Sequence, residues 1–107
     1  MAHVLFDQGT PVPLRKELGS HRVETARERG WSVLGNGDLL HAAEEAGSEV
    51  LVTTDQNLRY QQNLASRSIA IVVLSTTSWP RIQRSAFRVR DAVDVSHTGS
   101  YIEVPIG

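Results

Sequence analysis

Six apolar residues stand in a row between Ser68 and Ser75: Ile69, Ala70, Ile71, Val72, Val73 and Leu74. No polar side chain alternates with them. A strand built from this run has no face fit for water and must be covered on both sides. The run is far shorter than the roughly 20 residues of a membrane span. It therefore predicts the central strand of a parallel sheet with helices above and below. The rest of the chain supplies the other layers. His3–Phe6 is a short strand ended by Asp7. Pro11 and Pro13 open a helix to about Leu18, because a proline in a first turn loses no needed N–H. His21–Thr25 is a second short strand, followed by a helical turn at Ala26–Arg29. From about Gly37 to Ala46, Leu39, Ala42, Ala43 and Ala46 share one helical face. Val50–Thr53 is a strand, and Thr54-Asp55-Gln56-Asn57 turns into a helix of about Leu58 to Leu64. Trp79-Pro80 opens a last helix to about Val93, with Ile82, Ala86, Val89 and Val93 on one side; Tyr101–Val104 is a final strand. Strands alternating with helices predict an α/β domain with right-handed crossovers.

At 107 residues the chain is read as one domain spanning 1–107. It has no cysteine, which removes disulfide frameworks, zinc ribbons, iron–sulfur clusters and thiol nucleophiles together. A reducing compartment is the matching expectation. The start Met-Ala-His-Val-Leu-Phe-Asp has no basic segment and reaches an acid at once, so no secretory leader and no membrane attachment are expected, and the location is read as cytoplasmic. Eleven basic against twelve acidic residues leave a formal charge of −1. The total names no polyanionic partner; only the distribution of charge can. Lys16 is the single lysine. Arginine grips phosphate with a planar fork, although genome composition produces the same bias.

Ligands of open α/β sheets bind outside the carboxyl ends of the strands. Asp7 follows the first strand, and Asp55 follows Val50-Leu51-Val52-Thr53-Thr54. Asp38 lies in the first turn of the helix that leads into the Asp55 strand, where the helix dipole favours a carboxylate. Three acids from separate elements converging on one rim suit a hard divalent cation with oxygen ligands and retained waters. Each also has a structural explanation: Asp38 stabilises a helix start, and Asp55 caps one. His41, three residues after Asp38, reads as a solvated helix residue, and His3, His21 and His97 form no ligand spacing.

Three segments carry a resemblance. Val4-Leu5-Phe6-Asp7-Gln8-Gly9-Thr10-Pro11, Asn36-Gly37-Asp38-Leu39-Leu40-His41-Ala42-Ala43 and Val50-Leu51-Val52-Thr53-Thr54-Asp55-Gln56-Asn57-Leu58 resemble, in that order, the PIN-like proteins. The nearest likeness is to a compact family related to the toxin ribonucleases of bacterial toxin–antitoxin pairs. It covers about residues 3 to 75. It implies a three-layer α/β/α sandwich and a metal-dependent endoribonuclease that cleaves RNA phosphodiesters at an acidic pocket holding Mg2+ or Mn2+. Asp7, Asp38 and Asp55 match the acids of that pocket as metal ligands and catalytic groups. Gln8, Thr53 and Asn57 stand beside them as auxiliary polar residues. Relatives often carry further acids where this chain has Gln8 and Asn57. Glu44 and Glu45 lie roughly 9 to 10 Å along the helix from Asp38 and do not replace them. A small antitoxin protein is the implied partner, and a homodimer is an open assembly.

Between Pro80 and Arg90 the chain holds Arg81, Arg84, Arg88 and Arg90 and no acid. Arg81, Arg84 and Arg88 form a stripe opposite the apolar face. A stripe of this kind is either the solvated face of an amphipathic helix or a phosphate track. Arg59 and Arg67 would extend the track, with Tyr60 offering a stacking face. Three functions follow from these residues. The first is a metal-dependent ribonuclease. The second is a catalytically reduced PIN-like module that binds RNA or a protein. The third, a phosphoacceptor receiver domain, needs an acid pair after the first strand and a late lysine; Gln8 and Lys16 speak against it.

Overall fold

The computed structural model of the chain describes residues 2–61 and 63–107. Its five strands are β1 (His3–Phe6), β2 (Arg22–Thr25), β3 (Val50–Thr53), β4 (Ala70–Leu74) and β5 (Tyr101–Val104). They form one sheet in the order β2-β1-β3-β4-β5, and every neighbouring pair is parallel. The helices are α1 (Asn36–Glu45), α2 (Leu58–Gln61), α3 (Trp79–Arg84) and α4 (Ala86–Val95), with 3-10 turns at Val12–Leu18 and Leu64–Ser66.

The pleat sends alternate side chains to opposite faces, and two apolar cores result. Val4, Phe6, Val50, Val52, Val72 and Leu74 face Leu14, Leu18, Ile82, Val89 and Val93. Leu5, Leu51, Ile71 and Val73 face Leu39, Leu40, Ala43 and Leu58. The sheet is thus the middle layer of a three-layer α/β/α sandwich. All five residues of β4 are buried, as its unbroken apolar run requires. Each fully buried Val, Leu or Ile contributes about 1.5–3 kcal/mol relative to exposure, so the three central strands carry most of the cohesion. Among the described residues no helix is long and apolar enough to cross a membrane.

Local chemistry sets the ends of α1. Gly47, at φ +84°, follows the helix, and the N–H groups of Gly47 and Ser48 donate to the Glu44 and Ala43 carbonyls at 3.1 and 2.9 Å. An L side chain would strain that turn.

Three segments differ in detail from the sequence expectation. Val12–Leu18 is a 3-10 helix rather than an α-helix, still burying Leu14 and Leu18; its first turn closes by the i to i+3 bond from the Leu14 N–H to the Pro11 carbonyl at 3.2 Å. The helix expected over Leu58–Leu64 ends as α2 at Gln61, a 3-10 turn begins at Leu64, and Gln62 between them lies outside the described residues. The helix expected from Trp79 to Val93 is broken at Ser85, which sits at φ −121°, ψ 21°. Serine is a weak interior helix residue because its hydroxyl competes for backbone bonds. Ile82, Ala86, Val89 and Val93 nevertheless all reach one core.

Candidate functional site at the carboxyl edge of the sheet

From β1 the chain crosses to β2 on one side and returns as β3 on the other. The order therefore reverses between β1 and β3, and such a switch point leaves a crevice outside the carboxyl ends of the two strands. Asp7 extends β1 by one residue, its N–H donating to the Val52 carbonyl at 3.2 Å. Thr53, the last residue of β3, is 1% exposed. Its hydroxyl donates to Asp7 Oδ2 and accepts from the Asp55 N–H at 3.0 Å. One buried hydroxyl thus ties the acid of β1 to the acid after β3.

Both carboxylates are held further. Thr10 Oγ1 lies 2.7 Å from Asp7 Oδ1 and 2.9 Å from the Val52 carbonyl oxygen; its single proton serves one of them at a time. Asn36 Nδ2, from the first residue of α1, donates to Asp55 Oδ2 at 2.7 Å. The Asn57 N–H donates to Asp55 Oδ1 at 2.9 Å, the side-chain-to-backbone turn by which an aspartate starts a helix. Asp55 therefore does the structural work of leading into α2 and also belongs to the polar edge. Gly9 allows the loop to lie this close: a Cβ there would stand 2.7 Å from Thr54 Oγ1.

Asp7 and Asp55 thus share one network. Asp38 is exposed at the third position of α1, two residues after Asn36, and stays outside that network. Among the described residues no group of three or more His, Asp or Glu side chains is placed to hold a metal ion. Gln8 is exposed and lines, with Asp7, Thr10 and Arg27, a cleft of about 210 Å3. Asn57 is exposed, and its backbone N–H is what reaches Asp55.

Arg59 pairs with Glu103 at 3.6 Å, and its guanidinium lies 4.8 Å from the centre of the Tyr60 ring. Arg67 is paired with Glu44 at 2.8 Å. Two members of the expected stripe are bonded to the chain's own last residues: Arg81 donates to the Ile106 and Gly107 carbonyls at 3.2 and 3.4 Å, and Arg88 to the Pro105 carbonyl at 3.4 Å. Arg84 is exposed. Three of the four histidines stand beside an acid: His3 with Glu24, His21 with Asp94, and His41 with Glu45.

Sequence reasoning missed Asn36, Thr10 and Arg27. Asn36 and Thr10 belong to the segments that carried the resemblance but bear no charge. Arg27 lies just past β2, so its place on the carboxyl edge was the available signal. Comparisons with family models, with curated proteins and with solved structures found no match for this chain.

Proposed function

We propose that this chain is a PIN-like domain of toxin type that cleaves RNA with the help of a divalent cation. The observation that supports this most is that the buried Thr53 hydroxyl joins the Asp7 carboxylate to the Asp55 backbone N–H at the carboxyl ends of adjacent parallel strands. The donor set fits a hard cation. Magnesium is commonly bound by one or two carboxylates together with waters and phosphate oxygens, without an all-protein cage. Each oxygen of Asp7 and Asp55 takes one hydrogen bond among the described residues, which leaves lone pairs for coordination. Asp7 and Asp55 would hold the ion, and Asp38, exposed in the first turn of α1, is not part of that set. A bound ion of this kind acidifies water and neutralises charge on a scissile phosphate.

The chain's own groups supply the rest. Thr10 and Thr53 fix the orientation of the Asp7 carboxylate, so it loses no rotamer freedom when substrate arrives. Asn36 and the Asn57 N–H do the same for Asp55. Arg27, on the cleft that holds Asp7, offers the guanidinium fork that a phosphodiester needs beside a carboxylate. Toxin type implies a small antitoxin protein as a partner.

A second reading, a module that binds RNA or a protein without cleaving, draws on the lack of a three-acid group among the described residues. One experiment separates the two. Single-stranded RNA is incubated with the protein in magnesium, in manganese and in chelator. The proposal expects cleavage only with metal, and its loss in Asp7→Asn and Asp55→Asn with RNA still bound. RNA bound but uncut in every condition selects the second reading. RNA neither bound nor cut removes RNA from both.

A further inference from the structure

A second cleft, of about 390 Å3, opens on the same rim at the carboxyl ends of β4 and β5. Its wall begins with Gln56, the residue after Asp55, and ends with Glu103 of β5; Val73 gives it an apolar side. Clefts of this size accept small flat ligands. The polar groups near Gln56 are already engaged: its amide donates to the Ser75 carbonyl at 3.1 Å, and Ser75 Oγ accepts from the Ile106 N–H at 2.8 Å.

Glu103 differs from them. Its Oε1 stands 3.6 Å from Arg59, and its Oε2 accepts from the Tyr101 hydroxyl at 3.5 Å. Both contacts sit at the outer limit of bonding. Its side chain is 49% exposed. Glu44, by contrast, takes bonds of 2.8, 2.8 and 2.9 Å from Arg67 and Ser68. Glu103 is therefore a carboxylate on a cleft with most of its acceptor capacity unused. Beside it, Arg59 donates to the Tyr60 hydroxyl at 2.6 Å, and Tyr60 is 73% exposed. An aromatic ring this open, next to a guanidinium, is a platform for an unstacked base.

A carboxylate can only accept. Among the RNA bases, guanine alone presents two adjacent donors, N1–H and the N2 amino group, on its Watson–Crick edge. Adenine and cytosine place an acceptor nitrogen beside their single amino group, and uracil flanks its N–H with two carbonyls. A free carboxylate therefore selects guanine and is repelled by part of the edge of each other base. β5, which carries Glu103, is two strands from β3 and three from β1, roughly 10 and 15 Å at ordinary sheet spacing. A short single strand crossing the rim past Asp7 and Asp55 therefore reaches this cleft.

We propose that the cleft is a subsite for an unpaired guanine in single-stranded RNA, with Glu103 accepting from its N1–H and N2 amino group and Tyr60 stacking on the neighbouring base. The proposal rests on the RNA reading above and adds the base that the reading leaves open.

The test is binding of short ribonucleotides by the whole chain, followed by fluorescence anisotropy in chelator. One probe is all uridine; three others carry a single central G, A or C. The G probe should bind about tenfold tighter than the rest, as a good bidentate base contact provides. Glu103→Gln should reduce that preference to about twofold or less, because an amide cannot accept at both atoms, while binding the uridine probe at least as tightly as the parent does, because the repelling charge is gone. Tyr60→Ala should weaken all four probes alike. Glu103 and Tyr60 are exposed, and circular dichroism melts confirm that each variant is folded. A parent that binds all four probes equally, or a Glu103→Gln chain that keeps its preference, overturns the guanine subsite and leaves the RNA reading standing. A parent that binds none overturns both.

Discussion

Thr53 is the residue on which the two acids of the edge depend. Its hydroxyl donates to one carboxylate and accepts from the backbone of the other acid, and it is buried. Thr53→Val keeps the shape and removes both bonds. A buried group left without its partner costs about 1–3 kcal/mol, so a loss near 2 kcal/mol is expected in urea unfolding, with any cleavage falling as Asp7 loses its fixed orientation. Unchanged stability would show that the hydroxyl couples nothing. Glu44 makes the corresponding structural test. Burial alone would raise its pKa, but bonds from Arg67, Ser68 and the Ile69 N–H outweigh burial and hold it at about 2, against 4.5 for a free glutamate. A folded-state pKa below the unfolded one adds stability that is fully present above pH 4.5 and is lost as pH falls toward 2. Glu44→Gln should therefore be less stable near neutrality, by on the order of 2 kcal/mol for lost charged hydrogen bonds. Its unfolding midpoint should also change less with pH across that acid window. Equal acid slopes for the two proteins would refute the assignment.

Helices and strands differed in how openly the sequence declared them. β3 and β4 were legible because burial on both faces leaves only apolar choices, and the five-strand alternation followed from them. The break at Ser85 was not, because Ile82, Ala86, Val89 and Val93 keep one apolar face whether or not the backbone is continuous. The 3-10 form of Val12–Leu18 was hidden for a similar reason: Leu14 and Leu18 are buried in either helix type. At the edge, the charged Asp7 and Asp55 stood out by position after strands. Asn36 and Thr10 did not, since an uncharged donor at a helix start or in a loop has many ordinary uses. The stripe on α3 and α4 shows the converse, a visible pattern with another use, since Arg81 and Arg88 donate to carbonyls of Pro105, Ile106 and Gly107. Of the stripe, Arg84 is the member left for phosphate. Replacing Arg81, Arg84 and Arg88 together by Gln should then lower the salt dependence of RNA binding by about 0.7, one contact on a single strand. Arg27→Gln alone should lower it by the same about 0.7. A fall of about 2 in the triple variant, three contacts' worth, would restore the whole stripe as a phosphate track. No fall with Arg27→Gln would remove Arg27 from the site.

The whole molecule separates its chemistry from its structural polar groups because all five strands run one way. Asp7, Thr53, Asp55 and both clefts lie at the carboxyl rim, whereas Glu44 closes the opposite rim by bonding Ser68 and Ile69 just before β4. The cation proposed for the carboxyl rim would bind the folded chain alone, since only folding brings the ends of β1 and β3 together, and it would therefore stabilise the entire domain. At about 100 times its dissociation constant magnesium should add roughly 2.7 kcal/mol, on the order of 10 °C in the melting temperature of a domain this size. Asp7→Asn tests this without dismantling the fold. The amide retains one acceptor, and a threonine hydroxyl can turn to accept from its NH2 group, so Thr10 and Thr53 both keep a partner. The substitution also takes one negative charge off a rim that carries Asp55 as well, so it adds no repulsion there. The metal-free variant should thus match the parent or exceed it in stability, and magnesium should shift it far less. An Asp7 whose role is only to order the loop would act oppositely: its loss would destabilise the metal-free chain by about 1 kcal/mol, as a lost cap does. Thermal melts of both proteins, each in magnesium and in chelator, decide the matter, because equal magnesium shifts would take Asp7 out of the ligand set whatever the two metal-free stabilities turn out to be.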